Sequence, residues 1–400
     1  MSSLTDLTAQ CIRCGFCLES CPTFRLSGKE TEGPRGRIYL VRSAEENILD
    51  WKDIKQDIDS CLGCRACETA CPSGVKYGDI FEAAKDQIDR AEPNKAKKLF
   101  LRGLTNPTLL ETQIMLGKLL PGRRIPELLS KLLSGESPEA DLPQKEDDTP
   151  WPDLDERRLP AIKGEVALLE GCVMRVLYNP VHEATKRLLR RVGYRTVPVQ
   201  TTCCGALHAH NGFLEEANKK SKNLFAELDN ATPVIINSAG CGSWTKEQNA
   251  AINESKANIK DATEFLLANG LKEKLTETSG FNVTLTYHDA CHLSHGQGIR
   301  NQPRELLRAI PRAEYKELQD ADTCCGSAGI YNLTQPKIAR QLLDQKWENI
   351  ETATAQIVAT GNPGCLAWIE QASREHGQRV KVMHTLEVLE SSFSGLRWTS

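Results

Sequence analysis

The 400 residues carry 50 basic and 53 acidic side chains for a formal net charge of −3, a balance that leaves no basic face for nucleic acid to grip. The length suggests two or three domains, and no apolar run approaches the roughly 20 residues needed to span a bilayer. Sixteen cysteines, in a chain whose opening MSSLTDLTAQ has neither a basic n-region nor an apolar stretch, predict a reducing, cytoplasmic setting and metal in place of disulfides.

Cysteines dominate the first stretch. Cys11, Cys14, Cys17 and Cys21 are followed by Pro22, and Cys61, Cys64, Cys67 and Cys71 by Pro72, so C-x2-C-x2-C-x3-C-P occurs twice. This run supplies ligands for two [4Fe-4S] clusters, its fourth cysteine crossing over to the other cluster. The proline keeps the last turn from continuing as helix. The spacing therefore predicts one cluster on Cys11, Cys14, Cys17 and Cys71, and a second on Cys61, Cys64, Cys67 and Cys21. Zinc, the blander reading, normally takes two separated pairs of ligands.

Between Cys21 and Cys61 lie 39 residues, more than a compact β-type ferredoxin needs. From Arg37 to Ile58 the apolar positions Ile38, Leu40, Val41, Ile48, Trp51, Ile54 and Ile58 recur at helical spacing, and a further helix is predicted from about Asp79 to Arg90. Residues 1–95 are expected to form a helical domain, similar to the α-helical ferredoxin domain of succinate dehydrogenase and fumarate reductase iron–sulfur subunits. Gly33-Pro34-Arg35-Gly36-Arg37 reads as a turn and a helix start. Its arginines could neutralise an anionic cluster, dock a partner or lie in solvent.

Leucine-rich helical segments follow over 96–133. Ser134 to Glu156 is rich in acid, proline and serine, too polar to order itself by burial, and reads as a linker. Residues 96–160 are thus expected as a helical segment and an acidic, Pro-rich linker.

From Lys163 onward strands alternate with helices in an internal repeat. In the first copy a strand VALLEG leads to Cys172 and a helix from Pro180 to Val192. A strand TVPVQ then leads to Cys203-Cys204-Gly205 and a helix through Leu228, and a strand VIINSAG to Cys241 and another helix. The second copy has VTLTYHDA before Cys291, a helix around Arg304–Ile310, and Cys324-Cys325-Gly326. A helix over Pro336–Glu351 follows, with a strand QIVATGNPG, Cys365 and a helix from Leu366. Cys172 to Cys203 is 31 positions and Cys291 to Cys324 is 33; the later steps are 37 and 40. Two duplicated α/β domains are expected, over 161–275 and 276–400.

Each of these cysteines is placed where a strand gives way to a helix, the end of an open α/β sheet where ligands collect. Helix N-termini there favour anionic groups. Gly205 and Gly326 would let the backbone approach a metal closely. Each copy offers four converging thiols as candidate metal ligands: Cys172, Cys203, Cys204 and Cys241, then Cys291, Cys324, Cys325 and Cys365. They could hold further iron–sulfur clusters, hold zinc, or simply be buried. His208, His210, His288, His292 and His295 stand close to these cysteines in sequence and could donate to a thiolate, though packing and turn roles are the more common use. Trp244 and Trp368, each three residues after a terminal cysteine, read as core. No Ser-His-Asp arrangement and no G-x-G-x-x-G is present.

Duplicated Cys-Cys-Gly resembles the cysteine-rich CCG domain of heterodisulfide reductases. Two ferredoxin motifs followed by two such domains resemble glycolate oxidase iron–sulfur subunits, and CGFCLESCPT, GPRGRIYL, CLGCRACETACPSGV, LEGC, CCGA, SAGCG and CCGSAGIY fall in that family's order. The overall fold expected is multidomain α and α/β: an N-terminal α-helical ferredoxin domain, then two duplicated CCG domains. One departure stands out. Heterodisulfide reductases end the motif in Cys-x-x-Cys, whereas Ser238 and Asn362 fill the first slot here, which argues against a five-thiolate cluster that cleaves disulfides.

The resemblance implies an electron-transfer subunit with no catalytic residue of its own. FAD-containing glycolate oxidase partners would oxidise glycolate to glyoxylate, and electrons would pass through the clusters to a quinone or another carrier. A peripheral position on the inner face of the cell membrane, through partners, is compatible with it. Related architectures serve D-lactate and anaerobic glycerol-3-phosphate dehydrogenases. A thiol–disulfide oxidoreductase and a zinc-stapled scaffold are the readings from other classes.

Overall fold

The computed structural model describes residues 3–112, 131, 150–201, 203–229, 231–251 and 257–395. Residues 134–149 of the predicted linker lie outside this set. Of its remainder, Trp151 is buried and donates its indole N–H to the Pro180 carbonyl at 3.3 Å.

The N-terminal part is helical. Helices Pro34–Glu45, Lys55–Asp59 and Tyr77–Ala91 bury Val41, Ile54, Ile58, Ile80 and Phe81 in one small core. The helix expected over Arg37–Ile58 does not run through. It stops at Glu45, Asn47 turns into the left-handed region at φ 57°, and the N–H of Ile48 folds back to the Ser43 carbonyl at 2.9 Å. Ile48 is 68% exposed, so its agreement with helical spacing was coincidental. The turn before Pro34 needs Gly36 beside it, because a Cβ there would lie 1.9 Å from the Glu30 carbonyl oxygen.

Two four-stranded parallel sheets follow. The first has the order β2-β1-β3-β4 and comprises β1 Gly164–Leu169, β2 Tyr194–Pro198, β3 Val234–Ile236 and β4 Ile259–Asp261. The second has the order β6-β5-β7-β8 and comprises β5 Thr284–Tyr287, β6 Glu314–Tyr315, β7 Ile357–Thr360 and β8 Lys381–His384. The same topology in both copies matches the sequence repeat. The central strands β1, β3, β5 and β7 are buried along nearly their whole length, as a sheet covered by helices on both faces requires. Strands β4, β6 and β8 had no counterpart in the sequence reading.

The two copies meet reciprocally. The first long helix of copy one, Asn179–Arg191, packs on the last helix of copy two, Thr385–Ser394, and the last strand-linked helix of copy one, Ala262–Ala268, packs on Asn301–Arg308 of copy two. This is the contact pattern of a two-fold axis, here within one chain. It joins Val166, Leu168 and Ile235 to Leu285, Tyr287 and Ile357 in one apolar core. A carboxylate in this seam, Glu390, has a fully buried side chain and is held by Arg187 at 2.7 Å and Arg191 at 2.7 Å, so its charge is compensated. Among the described residues no helix is long and apolar enough to cross a membrane.

Candidate metal centres

Cys11, Cys14, Cys17 and Cys71 line one cleft, together with Cys67, Arg35, Ile38 and Tyr77. Arg13 at φ 59° and Gly15 at φ 87° curl the loop so that the first three thiols face inward. Cys14 is exposed while Cys11, Cys17 and Cys71 are half-buried. Burial pushes the Cys17 thiol up to about 11, with Cys11 and Cys14 adding to it against the backbone N–H of Arg35.

Cys21, Cys61, Cys64 and Cys67 are all buried. Burial drives the Cys67 thiol well up, and its neighbours Cys64, Cys61 and Cys21 raise it further. Arg37 lies against this group, 1% exposed, reaching the Cys21 Sγ at 3.9 Å, Thr23 Oγ1 at 3.0 Å, Ser60 Oγ at 2.8 Å and the Asp57 carbonyl at 2.7 Å. Burial opposes its charge, but Cys61, Tyr77 and Cys21 outweigh that and keep the guanidinium protonated. Of the two arginines in GPRGR, Arg37 is buried against the second group of thiols, while Arg35 lies half-exposed beside the loop of the first group, holding Glu30 at 2.5 Å and donating to the Arg13 carbonyl at 3.2 Å.

In the first repeat Cys172 contacts Cys203, and Cys204 contacts Cys241, thiol to thiol. The Cys172 bond brings Cys203 down to about 7 despite burial, with help from Lys220. In the second repeat the thiols form an unbroken chain, Cys291 to Cys324 to Cys325 to Cys365. Cys241 and Cys365 lie inside the first turns of helices Ala239–Ala251 and Pro363–Glu375, rather than just before them. The residues filling the lost cysteine slot have turned to the cysteine that remains: Ser238 hydrogen-bonds Cys241, and Asn362 Nδ2 approaches the Cys365 Sγ at 3.7 Å. Gly205 and Gly326 serve helix packing: at φ 99° and 92°, each presses within 2.6 Å, measured from where a Cβ would sit, of the Ala217 or Ala339 carbonyl oxygen.

Thiols gathered this tightly in dry surroundings cannot ionise together unless a cation offsets their charge. The soft donor set suits iron or zinc over hard cations.

The groups are joined through the fold. Cys64 is pushed up by burial first and by Cys291 of the second repeat next, and Cys324 feels Cys64 in turn. Three bonds clamp this junction: His292 Nε2 to the Gly63 carbonyl at 2.9 Å, the Tyr331 hydroxyl to the Ser60 carbonyl at 2.6 Å, and Thr69 Oγ1 to His295 Nδ1 at 3.0 Å. The two repeats touch beside their last cysteines, where Gly240 N–H donates to Asn362 Oδ1 at 3.3 Å and Ala239 N–H to the Gly361 carbonyl at 3.1 Å.

The other histidines divide by role. His210 donates to Glu82 at 2.8 Å, linking the first repeat to the helical part, and His208 is fully buried with neither ring nitrogen paired. His288 is the one that closes on cysteines: its ligand nitrogen, Cys325 Sγ and Cys365 Sγ all lie within 4.8 Å of one another. Trp244 and Trp368 are core, each 2% exposed, and Trp244 donates to the Cys204 carbonyl at 3.0 Å. Sequence reasoning missed the buried Lys346 under the second repeat's thiols, the clamp residue Tyr331, and Tyr77, whose hydroxyl reaches the Cys61 Sγ at 3.5 Å. Nothing in their linear spacing marks them.

Family models match residues 8–75 as a 4Fe-4S dicluster domain and residues 166–246 and 285–370 as a cysteine-rich (CCG) domain. The probable glycolate oxidase iron–sulfur subunit of Bacillus subtilis is 33% identical over 95% of this chain and 92% of its own length. The glycolate oxidase iron–sulfur subunit of Escherichia coli is 30% identical over 96% and 93%. Lactate utilization protein A of Oceanobacillus iheyensis is 28% identical over 58% of this chain and 98% of its own.

Proposed function

Because this chain belongs to the family of glycolate oxidase iron–sulfur subunits, we propose that it is the electron-carrying subunit of an assembly that oxidises glycolate to glyoxylate. FAD-containing partner subunits perform the oxidation, and a quinone or another carrier takes the electrons. Iron–sulfur clusters supply one-electron steps between a two-electron flavin and that acceptor.

One observation supports the relay above all: three of the four cysteine groups follow one another without a break. The exposed Cys14 places the first group at the surface, the buried second group shares Cys67 with the first group's cleft, and Cys64 of the second group adjoins Cys291 and Cys324 of the C-terminal repeat. In this reading Cys11, Cys14, Cys17 and Cys71 hold one [4Fe-4S] cluster, and Cys61, Cys64, Cys67 and Cys21 hold the other. The four thiols of each CCG repeat hold further metal. Arg37 stabilises added negative charge at the second cluster. Ile12 and Phe16, 67% and 69% exposed beside Cys14, form the apolar patch against which the flavoprotein docks. Association with the inner face of the cell membrane runs through partners.

Ser238 and Asn362, bonded to the cysteines they neighbour, leave no fifth thiol for disulfide chemistry and weigh against the thiol–disulfide reductase reading. The test is glycolate-dependent dye reduction by the chain co-purified with its partners, compared directly with lactate and glycerol-3-phosphate. Cys64→Ala and Cys67→Ala are expected to abolish it, and undiminished activity in those variants removes the relay role.

A further inference from the structure

The two CCG repeats are not chemically equivalent. His288 stands three residues before Cys291, as Leu169 stands three before Cys172. Likewise Lys346 lies seven residues past Ala339, the helix residue that Gly326 presses on, and Leu224 lies seven past Ala217, the residue that Gly205 presses on. A leucine pair in the first repeat is thus a histidine and a lysine in the second, at matched positions around the thiols.

His288 follows the last residue of β5, and its main-chain N–H donates to the Ala359 carbonyl at 2.9 Å, so its placement is set by the sheet. The side chain is 1% exposed. Nδ1 has no hydrogen-bond partner, while the Ala321 carbonyl accepts from the ring. One of the two ring nitrogens lies within 4.8 Å of both the Cys325 and the Cys365 Sγ. A buried acceptor left without a partner costs about 1–3 kcal/mol. A ring anchored through one N–H to a backbone carbonyl, with its other nitrogen free, is the arrangement that metal-binding imidazoles adopt. Ligands around one tetrahedral ion at bond lengths of about 2.0–2.3 Å sit roughly 3.3–3.8 Å apart, within the 4.8 Å that spans these three atoms. Lys346 reinforces the contrast. Its ammonium is buried, binds the Asp320 carbonyl, lies 3.5 Å from that of Ala321, and faces Cys325 and Cys324.

We propose that His288 is a metal ligand, a ring nitrogen joining the thiolates of Cys325 and Cys365 at one metal position of the C-terminal CCG centre, so that this centre has mixed nitrogen and sulfur ligation while the N-terminal one is all sulfur. The metal is iron or zinc, the choice of a soft and borderline donor set. The inference rests on the reading of the CCG cysteines as metal ligands.

The full-length chain, purified without air, tests it by metal and acid-labile sulfide analysis together with pulsed EPR for nitrogen coupling. Should the metal be zinc, a cobalt-substituted form gives the same readout. The expected result is a directly bound imidazole nitrogen that disappears in His288→Leu, the variant that copies the first repeat. That variant should bind the metal of this centre at least about tenfold more weakly. His288→Cys should regain metal with no nitrogen coupling. Absence of nitrogen coupling in the wild type overturns the proposal even if the leucine variant is insoluble, as does His288→Leu with unchanged metal and spectrum. If Cys325→Ser also leaves metal content unchanged, the underlying reading of the CCG cysteines fails; if it loses metal while His288→Leu does not, only the role of His288 fails.

Discussion

His292, next to Cys291, donates its Nε2–H to the carbonyl of Gly63, next to Cys64, at 2.9 Å. A single bond between residues 229 positions apart thus ties a thiol of the helical part to a thiol of the C-terminal repeat. His292→Phe keeps the ring's bulk, loses the bond and leaves the Gly63 carbonyl unpaired, a cost of about 1–3 kcal/mol. Iron content should hold, while electron arrival in the C-terminal repeat, followed by rapid-freeze EPR after flavin reduction, should slow. Unchanged kinetics would show that the clamp carries no functional weight.

Arg37 is a fully buried cation beside Cys21 and Cys61. Reduction adds negative charge to a cluster, so a neighbouring cation favours it. Arg37→Leu should shift one reduction potential to more negative values in an EPR-monitored titration, and Arg37→Lys should shift it less. A leucine variant with both potentials unmoved would place Arg37 in a packing role only.

The patch of Ile12 and Phe16 predicts a separation of binding from metal content. Phe16→Glu should weaken partner-driven reduction by about tenfold or more, the usual cost of losing an aromatic anchor, with iron and sulfide unchanged. Full activity at limiting flavoprotein would move the docking surface elsewhere.

Acid should destabilise the fold through buried neutral histidines. Burial takes His182 down to about 4, and His292 and His384 down to about 3. A basic group whose folded value is depressed contributes stability that is full above its unfolded value near 6.5 and is lost as pH falls from there toward 3 or 4. His384 shows why: Nδ1 accepts the Leu386 N–H at 3.2 Å as a helix cap, and Nε2 donates to the Asn237 carbonyl at 2.9 Å. Unfolding free energies from urea titration at pH 7.5 and 5.5 should differ by about 1.4 kcal/mol for each such histidine, and His384→Asn should remove its share. A flat profile would contradict this.

Gly205 and Gly326 combine a left-handed backbone with a 2.6 Å approach to a helix carbonyl. Alanine at either should cost about 2–5 kcal/mol by denaturant unfolding, from backbone strain and overpacking together. A neutral substitution would mean that the helix can retreat.

Much of this molecule was legible in its sequence because cysteine spacing and β/α alternation are local signals. The strands ending near Cys172, Cys241, Cys291 and Cys365, and the duplication itself, needed no long-range information. What sequence missed depends on contacts between distant segments. The helix break at Glu45 leaves Ile48 in solvent, which periodicity cannot distinguish from burial. Strands β4, β6 and β8 have only two to four residues and owe their existence to the neighbours they pair with. His288 was visible as a residue near Cys291, yet the fold turns it toward Cys325 and Cys365 instead.

The most direct test of the central claim is iron, acid-labile sulfide and an EPR-monitored redox titration on the chain purified under exclusion of air. The account predicts a brown protein with sulfide for at least two [4Fe-4S] clusters and two interacting reduced signals. A folded, colourless chain without acid-labile sulfide would contradict it.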